Sequence, residues 1–383
     1  MTRSWTPAII LGLVAAWTIT FAVLVMERKD DTVARASDGV MSDRIYHWKM
    51  VTTWPKNTPG VGVSAEKLAT IIDEMSNGRL KIHVYGANEL VPAMGVFEAV
   101  SSGSVEMGHA ASYYWRGKAP AAGFFTSVPF GMNQTEQNAW LFYGGGMELW
   151  REVYAPFNLV PFAAGNTGVQ MAGWFRNPLN SLADLRGLKM RISGIAGEVF
   201  AMTGGTAVNI PGGDVYYSLK SGVVDAADWI APENDLAFGF HQIAKYYYYP
   251  GWQEPAPTLE LMVNKPALEG LPKDLQAIVT YAARVINQDM FDSYTAHNAR
   301  ALQELKAKGV NVVPLPDDIL AELRKMSFAA YDAQAAKDPQ FKKIYESYFK
   351  FLDEVAPYQH ISEQYYYKIR EDFRLQDAED KLQ

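Results

Sequence analysis

The chain has 383 residues, 49% hydrophobic and 20% charged, which excludes disorder as its main state and suggests two or three lobes. Its 35 Lys+Arg stand against 42 Asp+Glu, a net charge of −7 that argues against a nucleic-acid binder. Cys is absent, excluding disulfides, thiolate zinc sites, Cys nucleophiles and lipidated Cys anchors.

No charge falls between Arg3 and Glu27, and Ile9 to Met26 is almost wholly apolar. A transmembrane helix needs about 20 such residues and a secretory core about 7–15. Val23-Leu24-Val25-Met26 offers no small-residue pair for signal peptidase, and Ala34-Arg35-Ala36 lies well past the apolar run. The segment reads as an uncleaved anchor in preference to a cleaved signal. Arg3 and the amino terminus keep that end cytoplasmic, so either way the body is periplasmic.

From Arg44 onward strands and helices alternate. Tyr46–Val51 reads as a strand, Gly62–Met75 as a helix, Leu80–Val84 as a strand and Pro92–Val100 as a helix with Pro in its first turn. Such alternation implies parallel sheets with crossover helices. Phe97-Glu98-Ala99-Val100-Ser101-Ser102-Gly103-Ser104-Val105-Glu106 is echoed by Tyr216-Tyr217-Ser218-Leu219-Lys220-Ser221-Gly222-Val223-Val224-Asp225. Both read as a helix end, a Gly stop and a strand opening, so two lobes of similar build each feed a strand toward a ligand loop. Gly144-Gly145-Gly146 follows a helical stretch without a preceding strand and reads as a hinge or tight helix packing. Lys273–Lys308, Asp317–Ala336, Pro339–Val355 and His360 to about Asp377 read as long helices broken at Gly309, Pro314, Pro316, Pro339 and Pro357. They are too long for one small lobe, so they brace both lobes or pack on another chain.

Catalytic signals are poor. The six His are scattered, and no nucleophile elbow, phosphate loop or dinucleotide fingerprint occurs. Asn133-Gln134-Thr135 fits a glycosylation sequon, a match too common to carry weight. The 21 Tyr and 10 Trp suit a small-ligand cleft, although core packing accounts for most of them. The informative region is Gly165–Pro257. In Gly165-Asn166-Thr167-Gly168-Val169-Gln170-Met171, glycines permit close backbone approach, and an interior Asn or Gln needs hydrogen-bond partners. Arg191 sits inside the apolar strand Leu188-Lys189-Met190-Arg191-Ile192. Its planar fork suits a carboxylate, and an internal salt bridge is the equal alternative. Asp228 and Glu254, each beside a Trp in a weakly charged stretch, are candidate functional acids. The tract Tyr246-Tyr247-Tyr248-Tyr249 reads as a buried strand.

These blocks, with Asp225-Ala226-Ala227-Asp228-Trp229, Tyr246–Trp252, Glu89-Leu90-Val91-Pro92, Gly108-His109 to Tyr114 and Asn138-Ala139-Trp140, resemble solute-binding proteins of tripartite ATP-independent periplasmic (TRAP) transporters. The match is strongest to the subgroup binding 2-oxo acids or lactate, and runs from about Tyr46 past Tyr348. The resemblance implies an α/β fold of two lobes, like periplasmic binding proteins, with parallel-rich mixed sheets, a hinge cleft, long C-terminal helices and no catalysis. It implies that Arg191 grips the ligand carboxylate, and that Gln170, Asp228, Glu254 and the Trp229 backbone hold a metal ion that the ligand also touches. Asn166 and Tyr114 would line the pocket. A TRAP membrane permease would be the partner, and a homodimer would form through the C-terminal helices, in the Tyr365–Phe373 stretch.

The sequence departs from the resemblance at two places: Asp228 stands where the 2-oxo-acid binders carry Glu, and Trp115-Arg116 replaces a Tyr-Trp pair. Charge arithmetic supports the metal independently. Arg191, Asp228, Glu254 and a monocarboxylate would leave a buried anionic excess that a cation removes. Oxygen donors suit Na⁺, Ca²⁺ or Mg²⁺, with Ca²⁺ or Na⁺ the expectation. The implied organisation is an anchor or signal with tether over 1–42, a first lobe over 43–164 and a second lobe with the ligand and metal residues over 165–258. A crossover strand and bracing helices follow over 259–383. The competing readings are an exported metal-dependent enzyme acting on small oxo acids, which would need a free general base, and an envelope scaffold that binds no small molecule.

Overall fold

The computed structural model describes residues 44–380; the expected N-terminal anchor or signal lies outside them. Contacts group the described residues from Tyr46 onward into one compact unit. Within it stand two sheets. The first has the order β2-β1-β3-β10-β4, built from β1 Tyr46–Thr52, β2 Leu80–Tyr85, β3 Met107–Ala110, β4 Leu159–Asn166 and β10 Thr258–Asn264. The second has the order β11-β9-β5-β8-β6-β7, from β5 Gly173–Phe175, β6 Lys189–Arg191, β7 Thr206–Val208, β8 Ala226–Ala227, β9 Tyr246–Tyr249 and β11 Asn311–Pro314.

Parallel pairs β1–β2, β1–β3, β6–β7 and β6–β8 are joined by helical crossovers, as the alternating pattern predicts. The antiparallel strand β10 returns from the second sheet to lie between β3 and β4. The chain thus passes between sheets at 167–172, 250–257 and 265–310, and three connections of this kind make a hinge. The first sheet runs through Asn166, two residues past the lobe boundary expected at 164.

The echoed segments fold alike. Helices Val96–Ser101 and Val215–Ser221 each follow a short 3-10 turn, each is followed by a glycine with positive φ (Gly103 at 75°, Gly222 at 80°), and each leads to a parallel strand, β3 or β8. Helix Val61–Met75 buries Val61, Ala65, Leu68, Ala69 and Ile72 at helical spacing on the first sheet. Gly144 and Gly146 lie where a Cβ would run into Phe351 and Trp140, so the triple glycine serves close helix packing.

Helix Lys273–Ala307 has 35 residues, about 50 Å at 1.5 Å per residue. It packs on β4 and helix Val61–Met75 of the first lobe and on helix Pro232–Phe238 of the second. Helix Pro339–Gln359 differs from expectation because it runs through Pro357. A widened π turn, His360–Gln364, follows directly and leads into helix Tyr365–Asp380. Among the described residues, no helix is long and apolar enough to cross a membrane.

Candidate functional site

Arg191 is the last residue of β6, and Asp228 directly follows β8, its parallel neighbour, in which Ala227 pairs with Arg191. Both therefore stand at the carboxyl ends of parallel strands, where open α/β sheets gather ligands. In the first lobe β3 ends at Ala110, and the turn Ser112–Trp115 brings Tyr113 and Tyr114 to the same region. The last two contributors come from the connections between sheets: Gln170 precedes β5 and Glu254 precedes β10. The Gln170 N–H donates to the Glu254 carbonyl at 3.1 Å, which fixes the two segments side by side.

The guanidinium of Arg191 is 1% exposed. Its Nε donates to the Ile210 carbonyl at 3.1 Å and Nη1 to the Asp228 carbonyl at 2.7 Å, with the Asp228 Oδ2 at 3.5 Å. Its carbon lies 5.3 Å from the ring centre of Trp229, a cation–π arrangement. Nη2 has no hydrogen-bond partner. Both alternatives open for this residue are thus visible: a long internal ion pair, and donor capacity left over.

Asp228 is fully buried, and its Oδ1 accepts from Gln253 Nε2 at 2.9 Å. Burial pushes its pKa up to about 6, against the pull of Arg191 and of the Gln253 hydrogen bond. Burial, and then the charge of Asp228, hold Glu254 well above the usual carboxylate range despite Arg191 and the Tyr113 hydroxyl. The Tyr114 hydroxyl is raised by burial while Arg191 lowers it, and that of Tyr113 is raised strongly by burial and Glu254.

Several atoms here are buried without hydrogen-bond partners: the oxygens Gln170 Oε1, Asp228 Oδ2, Gln253 Oε1 and Glu254 Oε2, and the N–H donors Arg191 Nη2 and Trp229 Nε1. A buried polar atom left unpaired costs about 1–3 kcal/mol, so this concentration is not a packing accident. Unpaired acceptors and unpaired donors thus occur on adjoining segments around Arg191, a pattern that fits a cation and an anion bound side by side. Among the described residues no group of three or more His, Asp or Glu converges. The oxygen set here has two carboxylates, the rest being amide oxygens, and an all-oxygen set suits a hard cation.

Of the residues singled out from sequence, the structure brings Arg191, Gln170, Asp228, Trp229, Glu254 and Tyr114 into this neighbourhood. Asn166 is placed differently. Its Nδ2 donates to Ala256 carbonyl (3.3 Å) and Thr258 Oγ1 (3.0 Å), and its Oδ1 accepts from the Gly168 N–H (2.8 Å). Its amide is committed to bracing two interlobe connections. Tyr113 and Gln253 are additions. Gln253 donates from the same Nε2 to Asp228 and to the Met171 carbonyl at 2.7 Å. The signal for each was a polar neighbour beside an already suspect residue, Tyr114 or Glu254.

A cavity of about 280 Å³ adjoins the site, lined by Tyr113, Tyr114 and Arg116 from one lobe and by Ile192, Ser193 and Asn209, among others, from the other. A larger hollow of about 360 Å³ beside Arg176, Arg186 and Asp225 holds none of the unpaired atoms. Behind the site, Trp54 Nε1 donates to His109 Nδ1 at 3.0 Å, so the proton is on Nε2, which donates to the Ala164 carbonyl at 2.9 Å. The Trp54 ring lies 6.0 Å from that of Tyr114. Burial pushes the His109 pKa down to about 4, leaving a neutral ring that ties β3 to β4 under the turn. Of the Tyr246–Tyr249 hydroxyls, that of Tyr247 donates to Asp235 at 2.6 Å and that of Tyr248 accepts from the Leu179 N–H at 2.7 Å. Asn133 caps the helix Gln134–Tyr143, which gives the sequon residue a structural role.

A family model described as bacterial extracellular solute-binding protein, family 7 (DctP) matches residues 50–338. The chain is 44% identical over 316 residues to the monocarboxylate 2-oxoacid-binding periplasmic protein of a Nostoc species, covering 82% of this chain and 86% of that one. It is similar to a TRAP periplasmic solute-binding protein of Pseudoalteromonas atlantica, solved with bound sodium and pyruvate. That match has a TM-score of 0.83 and 42% identity, and covers 85% of this chain and 99% of the other. A TRAP transporter solute-binding protein of Bordetella bronchiseptica matches at TM-score 0.84 and 37% identity, over 89% of this chain and 100% of that one. It is a mixed-occupancy dimer with copurified calcium and picolinate in the occupied site.

Proposed function

The chain belongs to the DctP family of bacterial extracellular solute-binding proteins, and from that premise we propose that it captures a small monocarboxylate for a TRAP membrane permease. The ligand class is a 2-oxo acid such as pyruvate, or a 2-hydroxy acid such as lactate. The reading is carried by the buried oxygens of Asp228 and Glu254 that lack hydrogen-bond partners beside Arg191, whose Nη2 lacks one as well. In this reading Arg191 donates to the ligand carboxylate, with Trp229 packed against it and Tyr114 beside it. Gln170 Oε1, Asp228, Glu254 and the Trp229 backbone hold Ca²⁺ or Na⁺. The ion supplies the positive charge that lets two buried carboxylates and an anionic ligand share one site. Asn166 contributes as a brace on the hinge.

Lobe closure removes water from Arg191, which strengthens its charge-assisted bond and makes the closed shape depend on ligand. We read the protein as a receptor, not an enzyme, since both acids gathered at Arg191 belong to the oxygen set and neither is free to act as a base. A thermal-shift comparison tests the reading. Pyruvate or lactate with Ca²⁺ raises the melting temperature, and no shift with any 2-oxo or 2-hydroxy acid would contradict it. Incubation with ligand should return it unchanged.

A second copy of the chain is the proposed occupant of the exposed aromatic side chains Tyr365, Tyr366, Tyr367 and Phe373 on the last helix; a monomeric mass in light scattering would rule that out. An N-terminal membrane tether is proposed on the apolar run Ile9–Met26 alone, and recovery of the intact chain in the soluble periplasmic fraction would refute it.

A further inference from the structure

Glu260 lies within β10, fully buried, paired in register with Ala110 of β3 and Ala163 of β4. Its partners are neutral donors. Oε1 accepts from Trp115 Nε1 at 2.5 Å, and Oε2 accepts from the Tyr154 hydroxyl at 2.7 Å. A carboxyl group in an aromatic core is costly unless hydrogen-bonded, and an apolar residue would fill the space without that cost. The reason for an acid here therefore lies in what it holds.

Trp115 closes the turn Ser112–Trp115. The start of that turn is tied by Ser112 Oγ to the Ala122 carbonyl at 2.6 Å and to Thr126 at 2.7 Å. Its end is tied by Glu260. Between the ties stand Tyr113 and Tyr114, which border Arg191 and Glu254. The next residue, Arg116, reaches across to the second lobe, donating to the Gly194 carbonyl at 3.2 Å and pairing with Glu198 at 2.6 Å. The ring of Phe97 supports both of the acid's partners, 5.4 Å from Trp115 and 5.7 Å from Tyr154.

We propose that Glu260 is a positioning residue for ligand capture: by gripping Trp115 it fixes the turn that presents Tyr113 and Tyr114 to the site and Arg116 to the opposite lobe. The inference rests on the ligand-capture reading above. A carboxylate suits the task because each oxygen accepts from a different donor. A glutamine would offer one acceptor oxygen and turn an NH₂ group toward the other donor.

Glu260→Gln, Trp115→Phe and the double variant are compared by calorimetric titration with pyruvate in Ca²⁺, and by amide hydrogen exchange in protein without added acid. Each single variant is expected to weaken pyruvate binding about fivefold, the size of one lost ordinary hydrogen bond where that bond orders the turn for capture. Exchange in segment 112–116 should accelerate while segments 189–193 and 226–230 keep their rates. The double variant should bind within about twofold of either single one, because both changes break the same contact. Wild-type affinity in Glu260→Gln, unchanged exchange in 112–116, or losses that multiply would each overturn the proposal. Should Glu260→Gln fail to fold, Trp115→Phe decides by the same two readouts. Should the unaltered protein bind no pyruvate, the capture reading fails, while the exchange measurement still decides whether Glu260 holds the turn.

Discussion

Arg191 Nη1 lies closer to the main-chain oxygen of Asp228, at 2.7 Å, than to its carboxylate Oδ2, at 3.5 Å. Together with the Ile210 carbonyl bonded by Nε, this anchors the guanidinium through backbone acceptors and leaves Nη2 open. The side chain is oriented by the strand ends and only partly neutralised by its acidic neighbour. Such pre-orientation lowers the ordering cost of gripping an anion.

Replacement of Arg191 by Met should therefore remove ligand capture without unfolding the protein. Losing a charge-assisted, desolvated contact corresponds to a drop on the order of 100-fold in affinity. Asp228, already shifted upward by burial, can take up a proton when the cation is gone, so the fold survives. Calorimetry against pyruvate together with circular dichroism checks both halves. Near-normal affinity with an intact spectrum would remove Arg191 from its assigned role.

Gly212 offers a test of Trp229. A Cβ at this position would strike the Trp229 ring. Gly212→Ala should cost about 1–3 kcal/mol by overpacking and displace the indole from Arg191. The expected result is a lower melting temperature together with weaker pyruvate binding. A variant as stable and as tight as the parent would show that the ring has room to move.

Acid stability should carry the mark of His109. Its folded pKa, about 4, lies below the ordinary value of 6.5, so between those values the unfolded chain binds a proton that the folded protein refuses. Stability is fully present above pH 6.5 and falls as pH drops toward 4, by on the order of 3 kcal/mol at 1.36 kcal/mol per pH unit. Gln can accept from Trp54 and donate to Ala164 without titrating. His109→Gln should accordingly flatten the decline in urea-unfolding free energy between pH 6.5 and 4. An equally steep decline in the variant would place the effect elsewhere.

The fold was legible where local pattern and punctuation agreed. Helix Val61–Met75 and the long helix from Lys273 fall within a residue or so of expectation, because apolar spacing and flanking Pro or Gly mark their ends. Strands β5 and β8, with three and two residues, are too short to show any period. Pro357 misled because its cost is local, whereas helix Pro339–Gln359 is held by side chains such as Phe341, Ile344 and Tyr348, buried well before it.

At the site, Arg191 was visible as a cation in an apolar strand. Tyr113 was not, since its meaning comes from Glu254, remote in sequence and adjacent only after the hinge segments assemble. Asn166 shows the converse. A buried amide in a glycine-rich run can line a pocket or brace a backbone, and only the partners distinguish the two.

The measurement that reaches the central claim most directly is a calorimetric titration of pyruvate into chelator-treated protein, in buffer free of Na⁺, before and after Ca²⁺ is restored. If Arg191 and a cation on the oxygens of Gln170, Asp228 and Glu254 share the ligand, affinity should collapse without the ion and return with it. The Asp228→Asn variant should need far more Ca²⁺ for the same recovery. Pyruvate binding of equal strength with and without any cation would contradict the shared site.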